Sequence, residues 1–184
     1  EHVLEGGIPK FSPLSPTNMY VDQNEDGLIN ENDLVVNQSP VPNWILGFTG
    51  NGSYKNIDLS FTLRAMLGNY IYNNIASNNG TFQSFEGIRP SNIHTSALIT
   101  QFTSRQLMSD YYLEDGSFLR LDNISLGYNF NILKWAKLRA FVTGQNLFII
   151  TNYSGLDSEI QPNGIDNNLY PRPKTFIGGI SITF

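Results

Sequence analysis

A chain of 184 residues, 40% hydrophobic and only 15% charged, is long enough to bury a core and too apolar to be disordered. Its net charge of −5 argues against nucleic-acid binding, which needs a basic footprint, and the absence of cysteine excludes a disulfide framework, a thiolate metal site and a Cys nucleophile. No run of about 18 apolar residues occurs, which excludes a transmembrane helix but not a transmembrane β-barrel, whose strands are short and alternating.

Taken in chain order, residues 1–43 hold Pro9, Pro13, Pro16, Pro40 and Pro42 and read as an external loop region without regular structure. Within it, residues 22–33 follow the pattern D-x-N-x-D-G-x5-D, the spacing of a calcium loop with Asp at its twelfth position. Asp22, Asn24 and Asp26 would converge on a hard cation, Gly27 allows the sharp turn, Leu28 offers its carbonyl and Asp33 closes the far side. A run of Asx-turns is the structural alternative, since Asp, Asn and Gly are common turn residues. Neither flank resembles a helix, so the expected ion is a structural Ca2+ clamp rather than a helix-reorienting switch.

From Trp44 the pattern becomes that of strands, and residues 44–184 are expected to supply barrel strands and their loops. Trp44, Leu46 and Phe48 alternate with Ile45, Gly47 and Thr49, and Asn51-Gly52-Ser53 is expected to form the hairpin turn. The return strand puts Ile57, Leu59, Phe61, Leu63, Ala65 and Leu67 on one face and Asp58, Ser60, Thr62, Arg64 and Met66 on the other, over a length that crosses a bilayer. Residues 68–116 are rich in Asn, Ser and Thr and read as a long loop with one short helix around Ala97–Met108.

A second hairpin spans Ser117 to about Ile150 and turns near Asn131–Lys137. In its first arm Leu119 and Leu121 share one face, but Ile124, Leu126, Tyr128 and Phe130 fall on the other, which predicts a bulge near Asp122 or Asn123. After a polar loop from Thr151 to Arg172, Lys174–Phe184 forms a last strand beside Leu138–Ile150, with Phe176, Ile180, Ile182 and Phe184 on one face.

The connections alternate between long and short, so every long loop falls on one side of about five antiparallel strands, as in an all-β outer-membrane barrel. Aromatic residues gather at strand ends, with Trp44, Tyr70, Tyr72, Phe148 and Tyr153 near the loops and Tyr54, Tyr128, Phe130, Trp135 and Phe184 near the turns. Under this reading Arg64, Arg120, Asp122 and Arg139 should all face the lumen. The alternative is a soluble, calcium-stabilised β-sandwich that binds carbohydrate through Tyr and Trp. Enzyme chemistry is not expected: His2 and His94 lack triad partners, and Asp157 with Glu159 reads as a loop turn.

Four stretches carry a resemblance in order along the chain: Tyr20–Gly27 (YVDQNEDG), Leu113–Tyr128 (LEDGSFLRLDNISLGY), Gly144–Phe148 (GQNLF) running to Tyr153–Glu159 (YSGLDSE), and Tyr170–Phe176 (YPRPKTF) leading into Phe184. Together they resemble the C-terminal part of SusC/RagA-type TonB-dependent outer-membrane transporters; Ser158 stands where that family usually has Pro. The resemblance implies a Gram-negative outer-membrane importer of glycans or peptides with a 22-strand barrel, of which about five strands and no plug domain are present here. It also implies a SusD-like surface lipoprotein as partner, TonB contact through an absent N-terminal region, and a terminal Phe184 read by the barrel-assembly machinery.

Overall fold

In a computed structural model, the structure describes residues 4–5, 8–9, 20–28, 30–82, 92–103, 105, 108–133, 136–160 and 163–183. The chain divides into two interleaved compact units: residues 42–69, 116–158 and 170–184 form one, and residues 1–41, 70–115 and 159–169 form the other. Among the described residues no helix is long and apolar enough to cross a membrane.

The strand unit contains β3 (Trp44–Tyr54), β4 (Ile57–Leu67), β7 (Phe118–Leu133), β8 (Ala136–Gln145), β9 (Ile149–Thr151) and β11 (Thr175–Thr183). They form one antiparallel sheet in the order β11-β8-β7-β4-β3, with β9 also paired to β7. Tyr54 pairs with Ile57, so the first hairpin turns on Lys55 and Asn56, with Lys55 at φ 53°. The expected turn at Asn51-Gly52-Ser53 is therefore corrected: these residues continue the ladder opposite Ser60, Leu59 and Asp58. The alternation of the return strand begins at Ile57, and pairing it in full draws three turn-type residues into the strand.

The face switch in β7 is a bulge. Thr62 pairs with Asn123 and Leu63 with Leu121, leaving Asp122 as the extra residue. At the same level the expected single strand Leu138–Ile150 is broken into β8 and β9, because Asn146 takes φ 52°. The break stays tied to the bulge: the Asn146 N–H donates to the Asp122 carbonyl at 3.1 Å and the Leu121 N–H to the Phe148 carbonyl at 3.2 Å. β11 pairs with β8 from Thr175–Gln145 to Thr183–Lys137, the neighbour expected for the last strand. Phe184 and Trp135 lie outside the described residues.

The second unit is built from segments read as loops. A short antiparallel pair, β1 (Leu4–Glu5) and β2 (Ile8–Pro9), stands near the start of the chain. A small sheet pairs β5 (Tyr70–Asn73) antiparallel with β6 (Leu113–Asp115) and parallel with β10 (Ile165–Asp166). α1 (Asn74–Asn79) follows β5 directly, its first turn capped by the Asn73 side chain accepting from the Ala76 N–H. α2 covers only Ser96–Thr100, shorter than the helix expected to Met108, because Gln101 takes the left-handed conformation at φ 55° and ends it. His94 sits at the start of α2 with its Nδ1 2.9 Å from Ser96 Oγ, a local role rather than a catalytic one.

These elements surround an aromatic core in which Ala76, Phe102 and Tyr112 are buried and Tyr20, Tyr72 and Tyr111 pack against them. The Tyr111 and Tyr112 rings meet edge to face at 5.0 Å, and Phe102 meets Tyr111 in the same manner at 5.8 Å. Burial, followed by the nearby Tyr72, pushes the Tyr20 phenol up to about 12. Tyr72 and Tyr153, expected in an interfacial girdle, are instead packed into the protein, Tyr72 in this core and Tyr153 among the buried residues of the strand unit.

Candidate functional site: a two-faced barrel wall

The register assigns each strand residue to a face. Tyr54, Phe48, Leu46 and Trp44 of β3 share a face with Ile57, Leu59, Phe61 and Leu67 of β4. Through β7 the same face continues with Tyr128, Leu126 and Ile124, then Ala140 and Val142 of β8, then Ile180, Ile182 and Phe176 of β11. Most of these large apolar side chains are solvent-exposed: Leu126 at 55%, Phe176 at 72% and Trp44 at 66%. An apolar surface running across every strand of a sheet far exceeds the scattered exposure normal for a water-soluble monomer. The aromatic rings interlock on it, with Phe48 and Phe61 5.8 Å apart and Tyr128 and Phe130 4.6 Å apart near the turn end. Phe61 also lies over Gly50, where a Cβ would stand 2.6 Å from the ring, so this glycine makes room for the aromatic residue across the ladder.

The opposite face is mostly polar, with Ile45, Met66, Phe118, Phe141 and Ile177 as its apolar members. Thr143 Oγ1 donates to Ser125 Oγ at 2.8 Å, and Asn51, Ser53, Ser60, Asn123, Gln145, Ser181 and Thr183 occupy the same side of the ladder. Arg64, Arg120 and Arg139 are each paired with a carboxylate. Arg64 Nε donates to Asp122 Oδ2 at 2.9 Å, making the bulge residue a counter-charge fixed in the wall. Arg139 on β8 reaches over β7 to Asp58 on β4, its Nε donating to Oδ1 at 3.0 Å. Gly127 makes that reach possible, since a Cβ there would lie 2.5 Å from Asp58 Oδ2 and 2.6 Å from Arg139 Nη2. Arg120 pairs with Asp157 from the loop after β9. All four charged strand residues expected on the lumen side lie on this polar face, and Asp157, read from sequence as a turn residue, is an ion-pair partner instead.

Residues 22–33 form a tight polar loop held by its own side chains. Asp22 Oδ2 accepts from the Gly27 N–H at 2.7 Å, Asp26 Oδ1 from the Leu28 N–H at 2.8 Å and Asn24 Oδ1 from the Asp26 N–H at 3.1 Å. Asp33 closes the loop, accepting from the Asn30 N–H at 2.7 Å and from the Gln23 N–H at 2.7 Å. Gly27 takes φ 81°, as the motif requires. The carboxylates thus lie turned toward backbone N–H groups, and among the described residues no three Asp, Glu or His side chains converge as direct metal ligands. The Asn30 N–H, and then the Gln23 N–H, hold the Asp33 carboxyl below the usual range. A depressed folded pKa gives a contribution present above the unfolded carboxylate range and lost as pH falls through the folded value. Protection of the Gln23 and Asn30 amides, taken relative to intrinsic exchange at each pH, is therefore expected to persist through mild acid and to fall only once pH drops below the ordinary carboxylate pKa.

Short turns at one end of the sheet, long connections at the other, strands of 9 to 16 residues, one apolar face and one polar face define the wall of an outer-membrane β-barrel. No family model matches the chain. It is 40% identical over 177 residues to the TonB-dependent receptor SusC of Bacteroides thetaiotaomicron, covering 91% of this chain and 18% of that protein. It is 33% identical over 191 residues to TonB-dependent receptor P26 of Formosa agariphila, covering 90% of this chain and 19% of that receptor. In fold it is similar to the RagAB peptide transporter, with a TM-score of 0.65 and 24% identity over 79% of this chain and 17% of that one. The chain belongs to the SusC/RagA family of TonB-dependent receptors and spans about a fifth of the length of the curated relatives it matches. The relatives' names are those of receptors and importers, not enzymes, and the open edges of β3 and β11 are those of a partial barrel.

Proposed function

We propose that this chain is a wall segment of an outer-membrane transporter of a Gram-negative bacterium that imports glycans or peptides, is energised through TonB, and works with a SusD-like surface lipoprotein. The observation that supports this most directly is the continuous apolar face opposite a mostly polar face that carries ion pairs. In lipid such a sheet must be closed, because each unpaired backbone group in hydrocarbon costs several kcal/mol, so the edges of β3 and β11 require strands from the rest of the receptor. The glycan reading draws on similarity to SusC, and the peptide reading on similarity to the RagAB transporter. The test is deletion of the full-length gene, followed by uptake of labelled oligosaccharides and oligopeptides and by membrane fractionation of the tagged protein. Loss of one uptake class identifies the cargo. Undiminished uptake of both classes, or recovery of the protein without detergent, would overturn the proposal and revive the soluble sandwich.

For residues 22–33 we infer Ca2+ binding, with Asp22, Asn24, Asp26, the Leu28 carbonyl and Asp33 exchanging their N–H partners for the ion. The support is the motif spacing and the closed geometry around Gly27, which already gathers Asp22, Asn24 and Asp26 about one short backbone segment. Calorimetry on the intact receptor should show Ca2+ uptake that is lost when Asp22→Ala and Asp26→Ala are combined. Equal uptake by the double variant would leave the loop as a set of Asx-turns.

A further inference from the structure

Arg64 on β4 and Arg120 on β7 are direct cross-strand partners on the polar face. Their guanidinium carbons lie 5.8 and 5.5 Å from the centroid of the same ring, that of Phe118. Like charges directly opposite one another destabilise a ladder unless each is compensated. The two compensations differ in origin. Arg64 is met by Asp122, which the bulge builds into the wall, whereas Arg120 is met by Asp157, which belongs to the loop after β9. That loop covers the patch: Arg120 is only 3% exposed, Phe118 is equally buried, and Tyr153 and Ser158 are buried with them. The loop starts from a fixed anchor, with Thr151 Oγ1 donating to the Ser117 carbonyl at 2.8 Å and accepting from the Tyr153 N–H at 3.1 Å. Beyond this anchor the Asp157 carboxylate bonds a guanidinium of the wall, while the buried Ser158 Oγ has no hydrogen-bond partner.

We propose that the Arg120–Asp157 pair is a latch that holds residues 152–158 against the lumen side of the wall, and that its release uncovers the Arg120 guanidinium beside Arg64, which Asp122 already pairs. The inference rests on the reading of the polar face as the lumen. A buried ion pair is well suited to such a two-state contact, because removing one partner weakens the compensation of a buried charge and favours the open arrangement. In the closed arrangement the strap lies where cargo would run along the wall; in the open one Arg120 presents positive charge to it.

The experiment uses the full-length receptor in outer membranes, carrying a single engineered cysteine at Ser158→Cys or, as a control on the same polar face, at Ser60→Cys. Labelling with a membrane-impermeant maleimide is compared with and without Asp157→Asn. The latch requires Ser158→Cys to label slowly and Asp157→Asn to accelerate it at least about tenfold while leaving Ser60→Cys unchanged. Rapid labelling of Ser158→Cys with Asp157 intact would overturn it, as would no acceleration by Asp157→Asn, or equal acceleration at both cysteines, which would mean general loosening of the wall. Cargo uptake is measured on the same cells. Because labelling is read independently of uptake, failure of the latch is distinguishable from failure of the transport assignment.

Discussion

Leu126→Arg is expected to cost about 2–4 kcal/mol of stability in a bilayer, the depth-dependent penalty for a cation facing lipid near the midplane. Leu126 stands within β7, paired with Leu59 on one side and Val142 on the other, all three on the apolar face and all three exposed. The matched control is Ser125→Arg, one residue away on the polar face, where a half-buried hydroxyl lies beside Thr143. In lipid vesicles, denaturant unfolding of the full receptor should show the large loss only for Leu126→Arg. If the apolar face were covered by water or by a second sheet, the comparison would change: a water-exposed site would tolerate arginine with no more than a few tenths of a kcal/mol.

The second large effect is expected in the unit built from the connecting segments. Phe102 is 2% exposed and packs edge to face on Tyr111, so Phe102→Ala should remove about 3–5 kcal/mol from that unit, the usual cost of deleting a buried aromatic ring. Tyr112 provides a contrasting case at the same core. Its ring is equally buried, but its hydroxyl has no hydrogen-bond partner, so Tyr112→Phe should be neutral or stabilising because it removes a desolvated polar group and keeps the ring. Limited proteolysis between residues 70 and 115 is the measurement. Phe102→Ala should speed cleavage strongly and Tyr112→Phe should not. Equal sensitivity of the two variants would show that the aromatic cluster does not hold these segments together.

The polar face divides its ion pairs between two kinds of partner. Asp58–Arg139 and Arg64–Asp122 join strand to strand, while Arg120–Asp157 joins a strand to a loop.

The strands, their faces and the bulge at Asp122 were legible in the sequence because each is a local matter of alternation. Period 2 survives across Ile57–Leu67, and a phase change between Leu121 and Ile124 can be relieved only by an extra residue. The hairpin turn was misplaced because Asn51-Gly52-Ser53 has stronger turn chemistry than Lys55-Asn56, and cross-strand pairing along the whole of β3 outweighed it. The helix expected to reach Met108 was cut short by the left-handed Gln101, a conformation that no local propensity at that position announces. The small β5-β6-β10 sheet and the tyrosine core went unseen for a different reason: their partners lie far apart in the chain, as when Tyr72 meets both Leu113 and Ile165.

One signal for the hidden ion pairs was present, a glycine in the part of β7 between its two irregularities. Gly127 marks a close approach, but not of what. By itself, then, the sequence determined a two-faced antiparallel wall, the position of its bulge and the sides on which its charges lie, because side-chain alternation is a property of neighbouring residues. Only the tertiary structure decided that Asp58 crosses β7 to Arg139, that Asp157 closes over Arg120 and that a polar stretch folds around Phe102 and Tyr112. Those contacts join residues tens of positions apart, and their geometry exists only once the strands have set the register that brings them together.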